Sequence, residues 1–119
     1  MLKKYLKIVT VVGVLVAAAL GLRFLFSISY GAVTVINDSH EELTGVVAVC
    51  GQTFNVPALM PGDRDKIRYK LVADSSYAVA VKFKSGKELR KDVGYVTNGI
   101  EFDDELHVTD KDVEIVYRH

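Results

Sequence analysis

Basic side chains at alternate positions form the most regular chemical pattern in this sequence. They occupy every second position from 64 to 70, and two more follow in the next apolar stretch: Arg64, Lys66, Arg68, Lys70, Lys82 and Lys84. Alternate residues of a strand face the same side of a sheet. If strands at 64–72 and 76–84 lie side by side, the six cations share one outer face. We expect this face either to dock an acidic protein or anionic headgroups, or simply to keep the sheet solvated and free of aggregation.

Carboxylates are concentrated later in the sequence. The first cluster comprises Glu101, Asp103, Asp104 and Glu105, and a second one comprises Asp110, Asp112 and Glu114. Clustered carboxylates suit calcium, but their spacing does not match an EF-hand loop and no glycine marks its sharp turn. We therefore expect no metal site here, with calcium binding kept as an alternative. The first cluster is predicted to be an acidic surface, either solvated or in contact with a partner.

Nucleophiles and metal-ligand types are few and scattered. The one cysteine, Cys50, is expected to be a structural thiol at a hairpin corner. His40, His107 and His119 lack the spacing that would bring them together on a helix for zinc. The serines fall in turn clusters, and none lies in a G-x-S-x-G motif. A domain of this size also offers little room for a sugar cleft between paired carboxylates. We therefore expect no catalytic residues, no cofactor and no enzymatic activity.

The net charge of zero conceals segregated blocks. Residues 1–30 carry four basic and no acidic side chains (+4), and residues 31–63 carry no basic and four acidic ones (−4). Residues 64–91 carry nine basic and three acidic side chains (+6), and residues 92–119 carry two basic and eight acidic ones (−6). Segregated charge favours a charged partner. Nucleic acid is disfavoured, because the aromatic residues between the basic ones, Tyr69 and Phe83, are predicted to point inward, and because an acidic block lies nearby.

Short β-rich segments separated by turn residues follow position 30. Gly51-Gln52 predicts a type II′ turn that sets Val49 opposite Phe54. Residues 60–63 predict a type II turn. An odd loop near Gly86 is expected to pair Phe83 with Leu89, because an even loop would place charged residues on the buried face.

Two further turns are predicted near the end of the sequence. Asn98-Gly99 is a strong hairpin signal, and Asp110-Lys111 is expected to join the last two strands. Eight short strands in residues 31–119 predict a small antiparallel β-sandwich of immunoglobulin-like size. This domain is expected to bind another protein, and its oligomeric state is left open.

An uncharged stretch at 8–22 organises the N-terminal part. It is bracketed by Lys7 and Arg23, and further apolar residues lengthen it. We expect residues 1–30 to be a membrane anchor that contacts the bilayer through residues 5–26. A cleaved signal peptide and a buried soluble helix are the alternatives. The excess of positive charge before the stretch predicts a single pass through the inner membrane, with a cytoplasmic N-terminus and a periplasmic or extracellular domain.

Three short motifs are shared with a recognisable class of proteins. The chain combines a basic start and a single span with three motifs: V-I-N-D-S at 35–39, L-M-P-G-D at 59–63 and G-Y-V-T-N-G at 94–99. In these features it resembles small single-pass bacterial cell-envelope proteins with one immunoglobulin-like domain. The resemblance implies no catalytic residue. We expect a membrane-anchored extracytoplasmic binding module, in its sharper form an immunity or inhibitor protein that neutralises a toxin. A structural or assembly subunit and a calcium or small-ligand binder are the alternatives.

Overall fold

Eight β-strands dominate the structure. The computed structural model describes residues 9–19, 29–97 and 102–117. The strands, in chain order, are β1 Tyr30–Asn37, β2 Leu43–Val49, β3 Gln52–Leu59, β4 Arg64–Lys70, β5 Ser75–Phe83, β6 Glu88–Val96, β7 Asp103–Val108 and β8 Val113–Val116. They form two sheets of four strands each, in the orders β4-β1-β7-β8, here the first sheet, and β3-β2-β5-β6, the second sheet. The prediction of a mainly β chain with two sheets is therefore confirmed.

The core lies between the two sheets and is built from the alternate residues of each strand. Val33, Val35, Val47, Tyr77 and Leu106 are completely buried. In β4 and β5 the predicted alternation is found, with Ile67 and Tyr69 inward and the basic residues outward. Neighbouring strands are antiparallel except for β1 and β7, which run parallel with Val35 opposite Leu106. The first sheet is thus a mixed sheet, whereas a wholly antiparallel sandwich was predicted.

The described part of the N-terminal helix is short. Residues 9–19 are helical, and at 1.5 Å per residue they cover about 16 Å, well short of the roughly 30 Å hydrocarbon core. Within the part of the chain that the structure describes, no helix is long and apolar enough to cross a membrane. The predicted transmembrane helix is therefore wrong, and so is the single-pass inner-membrane location that depended on it. The rest of the predicted 5–26 contact lies outside the described residues.

Two of the predicted turns are confirmed. The backbone N–H of Asp63 donates to the carbonyl of Met60 over 2.9 Å, and Gly62 has a φ of +88°. These are the features of a type II turn, in which only the third position needs a positive φ. Thr109 donates its backbone N–H to the carbonyl of Asp112, so Asp110 and Lys111 form the two-residue turn between β7 and β8.

Two predicted hairpin registers are each displaced by two residues. Val47, not Val49, lies opposite Phe54, because Cys50 and Gly51 form the turn with φ values of 51° and 70°. Two positive φ values define a type I′ turn rather than the predicted type II′. In the next hairpin the loop has the predicted odd length, but Val81 takes the place opposite Leu89 that was expected for Phe83. A displacement of two leaves every side chain on its predicted face.

The Asn98-Gly99 turn lies outside the described residues. The strands on either side of it, β6 and β7, belong to different sheets and do not pair with each other. The predicted hairpin, with its second strand at 100–102, falls mainly on residues outside the described ranges and stays a prediction. A turn motif reports local backbone preference and not the sheet in which the next strand finds its partner.

Candidate functional site

The outer face of the first sheet carries four exposed cations in one column. Arg64, Lys66, Arg68 and Lys70 project from alternate positions of β4, which is the edge strand of that sheet. We call these four residues the basic column. Same-face positions of a strand are about 6.8 Å apart, so the column is about 20 Å long. Within the described part of the chain none of the four forms a salt bridge.

The other two predicted members of the basic face lie elsewhere. β4 and β5 are in different sheets, so the premise that they lie side by side is wrong. Lys82 projects from the outer face of the second sheet, and Lys84 lies in the loop after β5. The structure therefore brings four of the six predicted cations together and places two on the opposite side of the sandwich. Alternation predicted which way each side chain points, but it contains no information on which sheet a strand joins.

The predicted acidic surface is also divided. Glu101 lies outside the described residues. Asp103 and Glu105 project from the outer face of β7, in the same cross-strand rows as Arg68 and Lys66, with β1 between them. Two strand spacings separate the carboxylates from the basic column by about 10 Å. The outer face of the first sheet is therefore positive along the β4 edge and negative along β7.

Asp104 is not part of any surface, because its side chain is completely buried. Its Oδ2 accepts a hydrogen bond of 2.8 Å from the Tyr77 hydroxyl, and the Tyr69 and Tyr77 hydroxyls are 2.7 Å apart. Since the one hydroxyl proton of Tyr77 is donated to Asp104, Tyr69 must donate to Tyr77. The alternation of Asp104 with Leu106 and Val108 was a usable signal that this carboxylate points inward.

The two tyrosines of this cluster remain phenols. Burial, followed by the hydrogen bonds with Tyr69 and Asp104, raises the pKa of Tyr77 far above its ordinary value of 10. Burial also raises the pKa of Tyr69, although its hydrogen bond to Tyr77 opposes this. With both protons retained, the Tyr69 hydroxyl donates to Tyr77 and the Tyr77 hydroxyl donates to Asp104, so the cluster is a chain of hydrogen bonds within the core.

A histidine and two carboxylates meet at one end of β7. His107 Nδ1 lies 2.5 Å from Asp38 Oδ2, and its Nε2 lies 3.3 Å from Glu105 Oε1. The hydrogen bond with Asp38 raises the pKa of His107, against the opposing effect of partial burial, and Glu105 raises it further. His40 contacts Asp110 nearby, and its backbone N–H is the main cause of the lowered pKa of Asp110. Among the described residues, no group of three potential ligands is placed to hold a metal ion.

Two of the three sequence motifs meet in a buried contact. Asn37, from the V-I-N-D-S motif, is completely buried, and its Nδ2 donates to the carbonyls of Glu41 and Leu59, each over 2.8 Å. Its Oδ1 accepts from the backbone N–H and the hydroxyl of Ser39. Its backbone carbonyl accepts from Gly62 of the L-M-P-G-D motif. These motifs therefore hold one end of the sandwich together.

The free edge of β4 is partly occupied by a side chain. The Gln52 amide donates to the Lys70 carbonyl over 2.7 Å and accepts from the Lys70 N–H over 3.0 Å. Gln52 begins β3 in the second sheet, so its amide ties the two sheets together at their common edge. Sequence reasoning missed this contact, because Gln52 was assigned to a turn.

Cys50 is held in its turn by neighbouring polar groups. Its backbone N–H donates to Ser75 Oγ over 3.0 Å, and its Sγ lies 3.2 Å from the Ala73 carbonyl. It is partly buried against the core. The positive φ of this residue is therefore stabilised by local contacts.

Comparisons with known proteins support the fold and nothing finer. No protein-family profile matches the chain, and no curated protein is significantly similar to it. A protein from Eubacterium rectale, solved by NMR, is 14% identical, with a TM-score of 0.55 over 76% of this chain and 89% of that one. Such a likeness shows the fold alone. The resemblance to small envelope proteins therefore stays a prediction.

Pneumolysins give weaker structural matches. A non-hemolytic pneumolysin from Streptococcus pneumoniae strain ST306 is 7% identical with a TM-score of 0.44, and this chain spans only 24% of it. The membrane-binding domain of pneumolysin is 9% identical with a TM-score of 0.39, over 76% of this chain and 97% of that domain. Likenesses at this level carry no argument about function.

Proposed function

We propose that this domain is a non-enzymatic binding module whose basic column binds an acidic segment of a partner protein. The observation that carries the proposal is the column of four cations along β4 that form no salt bridge with any described residue. Its four cations are exposed, regularly spaced and without salt bridges among the described residues. A cationic edge of this kind attracts carboxylates at long range and orients them on contact.

The distribution of charge favours a narrow partner over a wide polyanion. Asp103 and Glu105 lie on the same face about 10 Å from the column, that is, two strand spacings away. A nucleic acid lying across the sheet would meet these carboxylates and be repelled. A single extended acidic segment along β4 avoids them, because it needs contact with the edge strand alone.

The narrower form of the proposal is an immunity or inhibitor protein in which the basic column occupies an acidic site on a toxin. The alternative is a subunit of a larger assembly that packs through its N-terminal helix. In the helical residues 9–19, a Cβ built at Gly13 meets nothing within 4 Å, so a larger side chain fits there. We expect Gly13→Leu to leave a binding module unaffected, whereas loss of the partner in this variant would favour the assembly subunit.

The test uses the full chain and a fluorescent eight-residue peptide of alternating Glu and Val as the acidic probe. One variant reverses two charges of the column, Lys66→Glu with Arg68→Glu. Its matched control, Lys82→Glu with Lys84→Glu, makes the same change of net charge away from β4. We expect the column variant to weaken binding by about tenfold or more at low salt, and the control by less than about twofold.

Three outcomes would contradict the proposal. Equal losses in both variants would mean that net charge alone attracts the probe. No loss in either would mean that the column is an ordinary solvated face. Tighter binding of single-stranded DNA than of the peptide, at the same salt concentration, would show that the domain is a polyanion binder and not a protein-binding module.

A further inference from the structure

We propose that the acidic segment binds as an added β-strand along the free edge of β4. This inference rests on the proposed function for the chemistry of the partner, and it adds the mode of binding. Strand addition uses main-chain hydrogen bonds for affinity and alternate side chains for specificity. The basic column would then contact the acidic side chains, and the backbone of β4 would form hydrogen bonds with the backbone of the segment.

The hydrogen bonds of β4 show which of its backbone groups face the free edge. Beyond one end of the strand, Leu71 donates its N–H to the carbonyl of Ser29, and beyond the other end Asn37 donates to the carbonyl of Asp63. Both pairs continue the β1–β4 register, so the odd-numbered residues of β4 bond to β1. Because the N–H and C=O of one residue point to the same side of an antiparallel strand, those of Arg64, Lys66 and Arg68 point away from β1.

The Gln52 contact supports this assignment independently. Its amide bonds to both the N–H and the C=O of Lys70, which is the next even-numbered residue. An amide side chain carries the same donor and acceptor as a peptide group, so it occupies the place that a neighbouring strand would fill. It also marks the end of the free edge and leaves Arg64, Lys66 and Arg68 for an added strand.

The other three edge strands are less suited to strand addition. β3 contains Pro57, which has no backbone N–H. β6 contains an irregularity in its pairing with β5 and a positive φ of 76° at Gly94. β8 has only four residues. β4 has seven residues with no proline, glycine or register shift. Its four cations would repel those of a second copy and so discourage pairing between two copies of the chain.

The surroundings of β4 define the segment that fits. Side chains on one face of the added strand would lie beside the basic column, where carboxylates are favoured. Side chains on its other face would point toward the edge of β3, where Phe54 is half-buried and lines a groove with Tyr30, Gln52, Arg68 and Lys70. The structure therefore favours a segment in which acidic and apolar residues alternate.

Backbone methylation of the probe separates strand addition from simple charge attraction. Two versions of the Glu-Val peptide are compared, one N-methylated at every Glu and one at every Val. In an added strand, only one of these two sets of N–H groups faces β4. We expect one methylated peptide to lose binding by about tenfold or more and the other to stay within about threefold of the unmethylated peptide.

A second measurement follows the protein itself. In the full chain, hydrogen exchange of the Lys66 and Arg68 amides should slow when the peptide binds, whereas that of Ile67, which already bonds to β1, should change little. Lys66→Pro, which removes the outward N–H, should weaken binding more than Lys66→Ala, which removes only the charge, with unchanged circular dichroism in both.

The possible failures are distinguishable. If both methylated peptides bind as well as the unmethylated one, the strand is not added, and the proposed acidic partner stands without it. If the unmethylated peptide does not bind at all, the proposed function and this inference are both overturned. Unchanged exchange at Lys66 and Arg68 in a saturated complex would overturn the inference alone.

Discussion

Gly31 lies directly opposite Tyr69, and the tyrosine ring fills the space that a side chain at position 31 would need. A Cβ built at Gly31 would be 2.3 Å from Cζ and 2.6 Å from Cε2 of that ring. Tyr69 is almost completely buried and its hydroxyl is bonded to Tyr77, so the ring cannot move aside. A glycine in β1 is thus required by its cross-strand neighbour.

Gly31→Ala should therefore destabilise the fold by about 1–3 kcal/mol, the usual cost of overpacking a core. Urea denaturation measures the loss. Combining the change with Tyr69→Leu, which removes the ring, should cost less than the sum of the two single variants. Additive losses would show that the crowding between positions 31 and 69 is not what excludes a side chain there.

Asn37→Asp should be among the most damaging single-atom changes in the chain. It replaces an amide that donates to two carbonyls with an oxygen that repels them, at a completely buried position. We expect a loss of about 3 kcal/mol in the free energy of unfolding at pH 7. The loss should be smaller at pH 4, where a protonated carboxyl can donate one hydrogen bond. Asn55→Asp, the same change at an exposed position, is the control and should cost under about 0.5 kcal/mol.

Tyr77→Phe should destabilise the fold more than Tyr69→Phe. The first change removes the hydroxyl that donates to the buried Asp104, whereas the second removes only a donor to Tyr77. We expect about 2–3 kcal/mol for Tyr77→Phe and about 1 kcal/mol for Tyr69→Phe, measured by chemical denaturation. The reverse order would contradict the direction assigned to the hydrogen bonds in this cluster.

Stability should depend on the titration of His107. Its contacts with Asp38 and Glu105 raise its pKa in the folded protein, so they stabilise the fold fully below its unfolded pKa of about 6.5 and lose this effect as the pH rises through the folded value. His107→Gln should therefore cost more stability at pH 6 than at pH 9. In an NMR titration, Asp38→Asn should lower the pKa of His107. An unchanged pKa would show that Asp38 is not the main cause of its elevation.

Local patterns in this chain predicted side-chain direction well and sheet membership poorly. The inward and outward faces of β4, the turn at 60–63 and the turn at Asp110-Lys111 all follow from residues within one strand or one turn. The pairing of β4 with β1, and of β1 with β7, depends on contacts between distant parts of the sequence. For this reason the six predicted cations were assigned to one face when the structure divides them.

The hydrophobic pattern does not determine the register of a hairpin. Val47 and Val49 point inward whether Phe54 lies opposite one or the other, because a displacement of two preserves both faces. Only the turn conformation separates the two registers, and Cys50 adopts a positive φ that its residue type does not favour. The predicted acidic surface was wrong at Asp104 for a different reason. Charge alone groups Asp104 with its neighbours, whereas its alternation with Leu106 predicts that it points inward.

The parallel pairing of β1 with β7 also dictates when the sandwich can close. All four strands of the second sheet precede β7 in the sequence, so on the ribosome they emerge while β1 still lacks one of its two neighbours. Until β7 arrives, one side of β1 is unpaired, and only β1 and β4 of the first sheet are present to cover the apolar inner surface of the second. Closure of the domain is thus a late, long-range step, and the interval before it is when this protein would most need a chaperone.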